Sequence, residues 1–213
     1  MRSVVLIGAG GHCRAVADII LRQNQLHIKG LLDTALEPGS QVDGMEVLGG
    51  DNKIAQLCEQ GFAMLITVGQ LNTSPVRQKI ANELESYKAI QPVVICNSAV
   101  IAISAKISPG TVVFPNAVVG ANVRIGKNCI LNSNCVTEHD SIIGNNTHIS
   151  TSATVNGQCR IGSNCFVGSG SVIKQNVSLA DECIVGACSF VNRDLQSGSK
   201  VLGIPTRSYK NQS

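Results

Sequence analysis

From residue 98 onward the apolar positions recur every six residues. Cut in sixes from Ser98, the fourth column runs from Ile101 to Val191 and is aliphatic at fifteen of sixteen positions. The exception is Thr137. The second column, from Ala99 to Ser189, holds small or thin residues: Ala, Thr, Val, Cys and Ser. Glycine often follows the aliphatic residue, as at Gly120, Gly126, Gly144, Gly162, Gly168 and Gly186, which suggests a tight corner with unusual φ. A helix needs a period of 3.6 and an ordinary strand a period of 2, so neither explains a six-residue repeat. Three short strands per turn, one per hexapeptide, do explain it. Sixteen hexapeptides at three per turn predict a parallel β-helix of slightly more than five turns. One branched and one small inward column would fill a narrow prism.

Before the repeat the pattern changes. An apolar strand is predicted over 3–7, a glycine turn at Gly8-Ala9-Gly10-Gly11, and an amphipathic helix over 12–22. A second strand over 28–32 ends at Asp33, followed by helices near 53–60 and 75–86 and strands over 63–68 and near 93–95. Strand–helix alternation argues for a small parallel α/β sheet. The expected organisation is therefore a Rossmann-like domain over 1–95 and a β-helix domain with a C-terminal tail over 96–213.

Composition narrows the functions. Aromatic residues are 3% with no Trp, consistent with a thin core. A net charge of +3 without a basic cluster argues against nucleic acid. No apolar run approaches a membrane span, and the opening MRSVVLIGAGGH reads as a strand running into a turn rather than a targeting segment. The nine cysteines lack CxxC pairs, and five of them lie in the small column: Cys129, Cys135, Cys159, Cys165 and Cys183. They read as reduced packing groups in a cytoplasmic protein. None sits in a nucleophile context.

The glycine turn approaches a dinucleotide fingerprint, with Asp33 suitably downstream, but position 13 is Cys13 where GxGxxG needs glycine. Backbone N–H groups at the start of the helix still make an anion site, suited to a diphosphate joined to a sugar. Of the four histidines, His27 reads as a surface residue. His139 lies two residues after Thr137, where the repeat fails, and Asp140 is next to it. A carboxylate beside an imidazole can orient it and raise its basicity. His148 is nine residues on, offset along and around the prism, so prisms packed side by side would let histidines from two chains line one cleft.

The order GAGGH, LLD, the hexapeptides, EHDSIIGNNTHIS and GIPTR resembles one family over essentially the whole chain. It is that of the hexapeptide-repeat sugar acetyltransferases: the sialic acid O-acetyltransferase and the UDP-4-amino-sugar (bacillosamine) N-acetyltransferase. The resemblance implies a left-handed β-helix, against the usual right-handed crossover. It also implies a homotrimer, with acetyl-CoA between neighbouring prisms and no metal. By position, His139 resembles the catalytic base and Asp140 its partner. His148, Gly157 and Ala187 match acetyl-CoA-binding positions, Gly157 offering its N–H to the thioester carbonyl or oxyanion. Gly8, Gly10, Gly11, His12 and Asp33 match the nucleotide-sugar loop. Thr34 departs from a second acidic residue, and Ala187 from a glycine.

The activity so implied is acetyl transfer to the amine of a nucleotide-linked sugar of the UDP-4-amino-4,6-dideoxy type, in bacterial surface-glycan synthesis. The alternatives are O-acetylation of sialic acid or a related nonulosonate, and a non-catalytic sugar-nucleotide scaffold. A gamma-type carbonic anhydrase would need three zinc-binding histidines, and only His139 and His148 lie in the prism.

Overall fold

The computed structural model describes residues 2–72 and 75–208. Residues 209–213 of the predicted tail lie outside the described residues. The chain forms two compact units, one of Met1–Gly69 with Pro75–Val94, the other of Gln70–Ser74 with Ile95–Ser213.

The first unit is built on β1 (Arg2–Ile7), α1 (Gly11–Gln23), β2 (Leu26–Leu32), β3 (Gln41–Val42), β4 (Met45–Gly49), α2 (Ile54–Glu59), β5 (Ala63–Ile66) and α3 (Pro75–Ser86). Its sheet runs β3-β4-β2-β1-β5. Four strands are parallel, and β3 adds an antiparallel edge. The expected all-parallel sheet is thus corrected by a hairpin whose turn, Asp43-Gly44, has positive φ at both residues. Val5 and Ile7 pack with Ile54, Leu57, Ile80 and Leu84 of α2 and α3. Alternation turns Val4 and Leu6 to the opposite face, and α1 buries Val16, Ile19 and Ile20. His27 is exposed, as expected.

The second unit is a left-handed parallel β-helix. Each hexapeptide gives a two-residue strand, from Val100–Ile101 to Phe190–Val191, paired with the strand 18 residues away. Three sheets form the faces of the prism. The aliphatic fourth-column residues from Val113 to Val191 lie in one buried core with second-column Ala117, Val123 and the five predicted cysteines. Burial pushes the Cys135 thiol up to about 12.

The corners are made differently from the glycine rule expected of the sequence. From Gly110 onward the left-handed residue is the first of each hexapeptide, with φ of 59° at Asn122, 58° at Asn134 and 60° at Asp140. Asn and Asp tolerate this region best after glycine, which explains the asparagine-rich column. The glycines after the aliphatic residue do not have positive φ. They are required because a Cβ would meet the next coil: 2.6 Å from the Gly162 carbonyl carbon at Gly144, and 2.6 Å from Ala187 N at Gly168.

The second column also does more than pack. Ser141 Oγ donates to Asn156 O (2.9 Å) and accepts from Cys159 N (3.1 Å). Thr147 makes the same pair with Gly162 O and Cys165 N. Cys129 Sγ reaches Gly144 O at 3.1 Å and Cys159 Sγ reaches Lys174 O at 3.1 Å. Small hydroxyls and thiols thus satisfy corner backbone groups that the coil-to-coil ladder leaves over.

The third column points outward and differs by face. The first face carries Val100, Val118, Val136, Thr154, Val172 and Phe190 in register. The second carries Lys106, Arg124, Ile142, Arg160 and Ser178. The third carries Val112, Ile130, His148, Phe166 and Ile184. Among the described residues no helix is long and apolar enough to cross a membrane.

Candidate active site

His139 ends the hexapeptide that begins at Asn134, so it stands at the corner between the first and second faces. Thr137 stays inside, fully buried like Val119 and Val155 on the coils either side. The break in the repeat therefore places a threonine in the core and does not redirect the chain. His139 is half exposed, and its Nδ1 lies 2.9 Å from Asp140 Oδ2. Asp140 Oδ1 accepts from Asn122 Nδ2 at 3.1 Å. The hydrogen bond from His139, then that from Asn122, holds the Asp140 carboxyl below its ordinary range. An ionised carboxylate assigns the proton to Nδ1 and leaves the Nε2 lone pair as the basic site.

Asn122 escaped the sequence reading. Yet it lies 18 residues before Asp140 in the same column, one full turn of the prism, so the period itself could have found it. Gly157 lies 18 residues after His139 by the same rule. A Cβ at Gly157 would lie 2.7 Å from His139 Nε2 and 2.8 Å from Cε1, so only glycine leaves room for the ring. The Gly157 carbonyl accepts from Asn176 N, and among the described residues no hydrogen bond of the ladder uses the Gly157 N–H.

The other two predicted donor-site residues stand elsewhere on the same chain. His148 is on the third face, 6% exposed. Its Nδ1 faces Gln70 O at 2.8 Å, its Nε2 faces Asn132 Nδ2 at 3.2 Å, and Phe166 packs edge-on at 5.2 Å. Donation from Nδ1 to the carbonyl leaves Nε2 to accept from Asn132. Ala187 ends a hexapeptide at the corner between the third and first faces. The fold thus brings together His139, Asp140 and Gly157, and leaves His148 and Ala187 apart within one chain.

In the first unit the glycine loop joins β1 to α1. Gly8 has φ +100°, and a Cβ there would lie 2.7 Å from Val68. At Gly10 and Gly11 a Cβ would meet nothing within 4 Å. Their smallness is therefore not demanded by the protein's own packing and leaves the α1 N-terminus approachable. Asp33 Oδ2 accepts from Ala9 N and Oδ1 from Ala35 N, both at 2.9 Å, so this carboxylate pins the loop. His12 lies beside Gly69, where a Cβ would be 3.5 Å from the histidine Cβ. Cys13 is buried, and desolvation raises its pKa. Its side chain occupies the helix–sheet contact that a fingerprint's last glycine would open.

Two further residues shape the loop. Thr67 Oγ1 donates to the carbonyls of Ile7 (3.0 Å) and Gly8 (2.7 Å), tying the end of β1 to that of β5. The fully buried Arg77 donates to the carbonyls of Ile66 and Val68. No periodic signal in the sequence marks either.

Residues 3–84 match the model of the PglD N-terminal domain family, and residues 89–196 that of the GMPPB C-terminal domain family. The chain belongs to the PglD-like sugar acetyltransferases. No curated protein matches the sequence. Solved structures do. One is a histidine-to-asparagine variant of perosamine N-acetyltransferase from Caulobacter crescentus in complex with CoA and GDP-perosamine. It is 26% identical, with 99% of this chain and 98% of that one covered and a TM-score of 0.90. Another is the acetyltransferase domain of PglB from Neisseria gonorrhoeae with acetyl coenzyme A, at 28% identity, 98% and 99% coverage and a TM-score of 0.90. WeeI from Acinetobacter baumannii, at 22% identity, 98% and 100% coverage and a TM-score of 0.74, shares the fold. Among the described residues of this PglD-like chain, no three His, Cys, Asp or Glu side chains converge as a metal site.

Proposed function

We propose that this chain transfers the acetyl group of acetyl-CoA directly to the amine of a nucleotide-linked amino sugar. The observation that carries the reading is the imidazole of His139, with Nδ1 held by an ionised Asp140 and Nε2 open over Gly157. Similarity to enzymes crystallised with CoA and GDP-perosamine, or with acetyl coenzyme A, supports the substrate classes.

In this mechanism His139 Nε2 takes the proton lost by the attacking amine, and Asp140 stabilises the imidazolium. The Gly157 N–H donates to the oxyanion formed from the thioester carbonyl, and collapse of that intermediate breaks the C–S bond, the imidazolium returning its proton to the departing CoA sulfur. Holding amine and thioester in one cleft replaces a bimolecular encounter by an oriented one. The sugar nucleotide's phosphates sit at the start of α1, where Gly10 and Gly11 leave the backbone approachable. Gly8, His12 and Asp33 shape that loop.

The working unit is a homotrimer. The apolar first face supports it, being bordered by the His139 corner on one edge and the Ala187 corner on the other. A head-to-tail contact along this face sets one protomer's base against a neighbour's Ala187. His148 serves the donor side as a positioning residue, orienting Asn132. The thiol-filled prism supports a reducing, cytoplasmic setting.

The test is CoA release with acetyl-CoA and a panel of nucleotide-linked amino sugars, beside sialic acid as hydroxyl acceptor. Wild type should turn over an amino sugar, and His139→Ala should lose roughly 10²- to 10⁴-fold of that rate. Turnover on sialic acid alone would move the assignment to O-acetylation. Sugar-nucleotide binding without CoA release would mark a scaffold.

A further inference from the structure

The residue before the base is a second carboxylate that the mechanism above leaves unused. Glu138 is half-buried, and its one hydrogen bond among the described residues is a long contact, Oε2 accepting from His139 N at 3.4 Å. None of the ion pairs among the described residues includes it. A charge drawn part-way out of water without a cation still calls for hydrogen-bond donors. On the preceding coil the same corner position is Gly120, where a Cβ would lie 2.9 Å from His139 N and 3.2 Å from Glu138 C. That coil therefore offers the carboxylate no side chain from its own position. On the following coil, about 4.8 Å on, the position is Asn156. Asn156 Nδ2 donates to Ile173 O at 2.8 Å, which leaves Oδ1 as the open end of the amide. The backbone N–H groups of Glu138 and Asn156 are both committed to the ladder, to Val155 O and Ile173 O. On these two coils the corner position thus presents a carboxylate and an amide oxygen next to the base, and no donor.

An exposed glutamate on a β-helix corner needs no explanation. A half-buried one without a cation, joined to the base residue, matches a need particular to nitrogen nucleophiles. An amine that attacks a thioester aims its one lone pair at the carbonyl carbon and keeps two N–H bonds, each wanting an acceptor. His139 Nε2 takes one. A hydroxyl in the same place keeps one O–H for His139 and a second lone pair, which a carboxylate repels. We propose that Glu138 accepts the second N–H of the attacking amine, with Asn156 Oδ1 closing the same side, and so selects nitrogen over oxygen acceptors. The inference rests on the acetyltransferase reading. The proton count agrees with the transfer step. As the C–N bond forms and the C–S bond breaks, one N–H proton passes to His139 and on to the CoA sulfur. The other stays on nitrogen as the amide N–H of the product, still held by Glu138.

The experiment measures kcat/KM for the amino-sugar nucleotide that wild type turns over, and for the same nucleotide sugar with a hydroxyl in place of the amine. Wild type, Glu138→Ala and Glu138→Gln are compared with acetyl-CoA as donor. Wild type should strongly prefer the amine, since a site built to accept an N–H rejects the analogue that lacks it. In Glu138→Ala the amine-to-hydroxyl ratio should fall by about ten- to a hundredfold, the scale of one lost charge-assisted hydrogen bond. Glu138→Gln keeps an acceptor oxygen without the charge and should recover part of the ratio. An unchanged ratio in Glu138→Ala would overturn the inference, whether both rates hold or fall together, because a merely structural role moves both alike. Circular dichroism reports whether the variants fold. Should Glu138→Ala unfold, the near-isosteric Glu138→Gln carries the test, with a smaller fall in the ratio expected and an unchanged ratio overturning it. Failure of the underlying reading shows in wild type instead: no CoA release with any amino sugar, or acetylation of the hydroxyl analogue alone.

Discussion

At the scale of single residues, the proposed chemistry rests on three groups one coil apart: Asn122, the His139–Asp140 pair and Gly157. Because Asp140 titrates below its ordinary range, its charge is present throughout the neutral region and is lost only as the pH falls through that depressed value. Asp140→Asn removes the charge that stabilises the imidazolium formed during transfer, so the plateau of kcat/KM should fall by roughly tenfold or more. Steady-state kinetics at neutral pH check it, and an unchanged plateau would detach Asp140 from the base. Gly157→Ala tests the other side of the ring. The added methyl, 2.7 Å from Nε2, must push the imidazole aside. Turnover should drop by about 10²-fold, as expected for a misplaced reacting group, with the melting temperature nearly unchanged. His139 was legible in the sequence because it follows a break in the repeat. Asn122 was equally legible in principle, since three hexapeptides make one turn. Thr67 and Arg77 were not, because a hydroxyl and a guanidinium that serve strand-end carbonyls leave no periodic trace.

At the scale of the repeat, the six-residue pattern dictated the strands but misled about the corners. Glycine often follows the aliphatic residue, which suggested positive φ there, yet the left-handed residue is in the asparagine-rich first column. Glycine recurs where coils touch, a cross-coil constraint that local pattern does not reveal. The cysteine column was read as packing alone, but its thiols and hydroxyls also satisfy corner carbonyls. Two neighbouring core positions therefore respond with opposite signs. Thr137 is fully buried, and its Oγ1 finds no hydrogen-bond partner. Thr137→Val keeps the shape and removes an unsatisfied hydroxyl, so it should stabilise by about 1 kcal/mol. Ser141→Ala strips both Asn156 O and Cys159 N of their partner and should cost about 1–3 kcal/mol. Urea midpoints at fixed m-value measure both. A destabilised Thr137→Val would mean that the hydroxyl has a role in the fold.

At the scale of the whole molecule, the question is why the residues matched to donor binding do not meet in one chain. His139 and Gly157 stand on one edge of the first face and Ala187 on the other. That face bears a mostly apolar row from Val100, 62% exposed, through Val118, Val136, Thr154 and Val172 to Phe190. An apolar strip exposed to water favours burial against a copy, and a head-to-tail contact closes into a ring with opposite edges apposed. Separation within the chain is then what a shared site requires. Val172→Asp puts a charge in the strip without touching the prism core. It should give monomers by sedimentation, with β-helix circular dichroism retained and turnover lost by more than about 10²-fold, because no cleft is complete. Complementation separates a shared site from a merely stabilising contact. His139→Ala and Ala187→Trp should each be nearly inactive alone. Co-refolded in equal amounts, they should form intact clefts at about a quarter of the positions, since each cleft draws its two edges independently from two chains. Recovery of activity on mixing is the expected result. A trimer that stays inactive when mixed would place both edges' functions within one protomer and overturn the shared cleft.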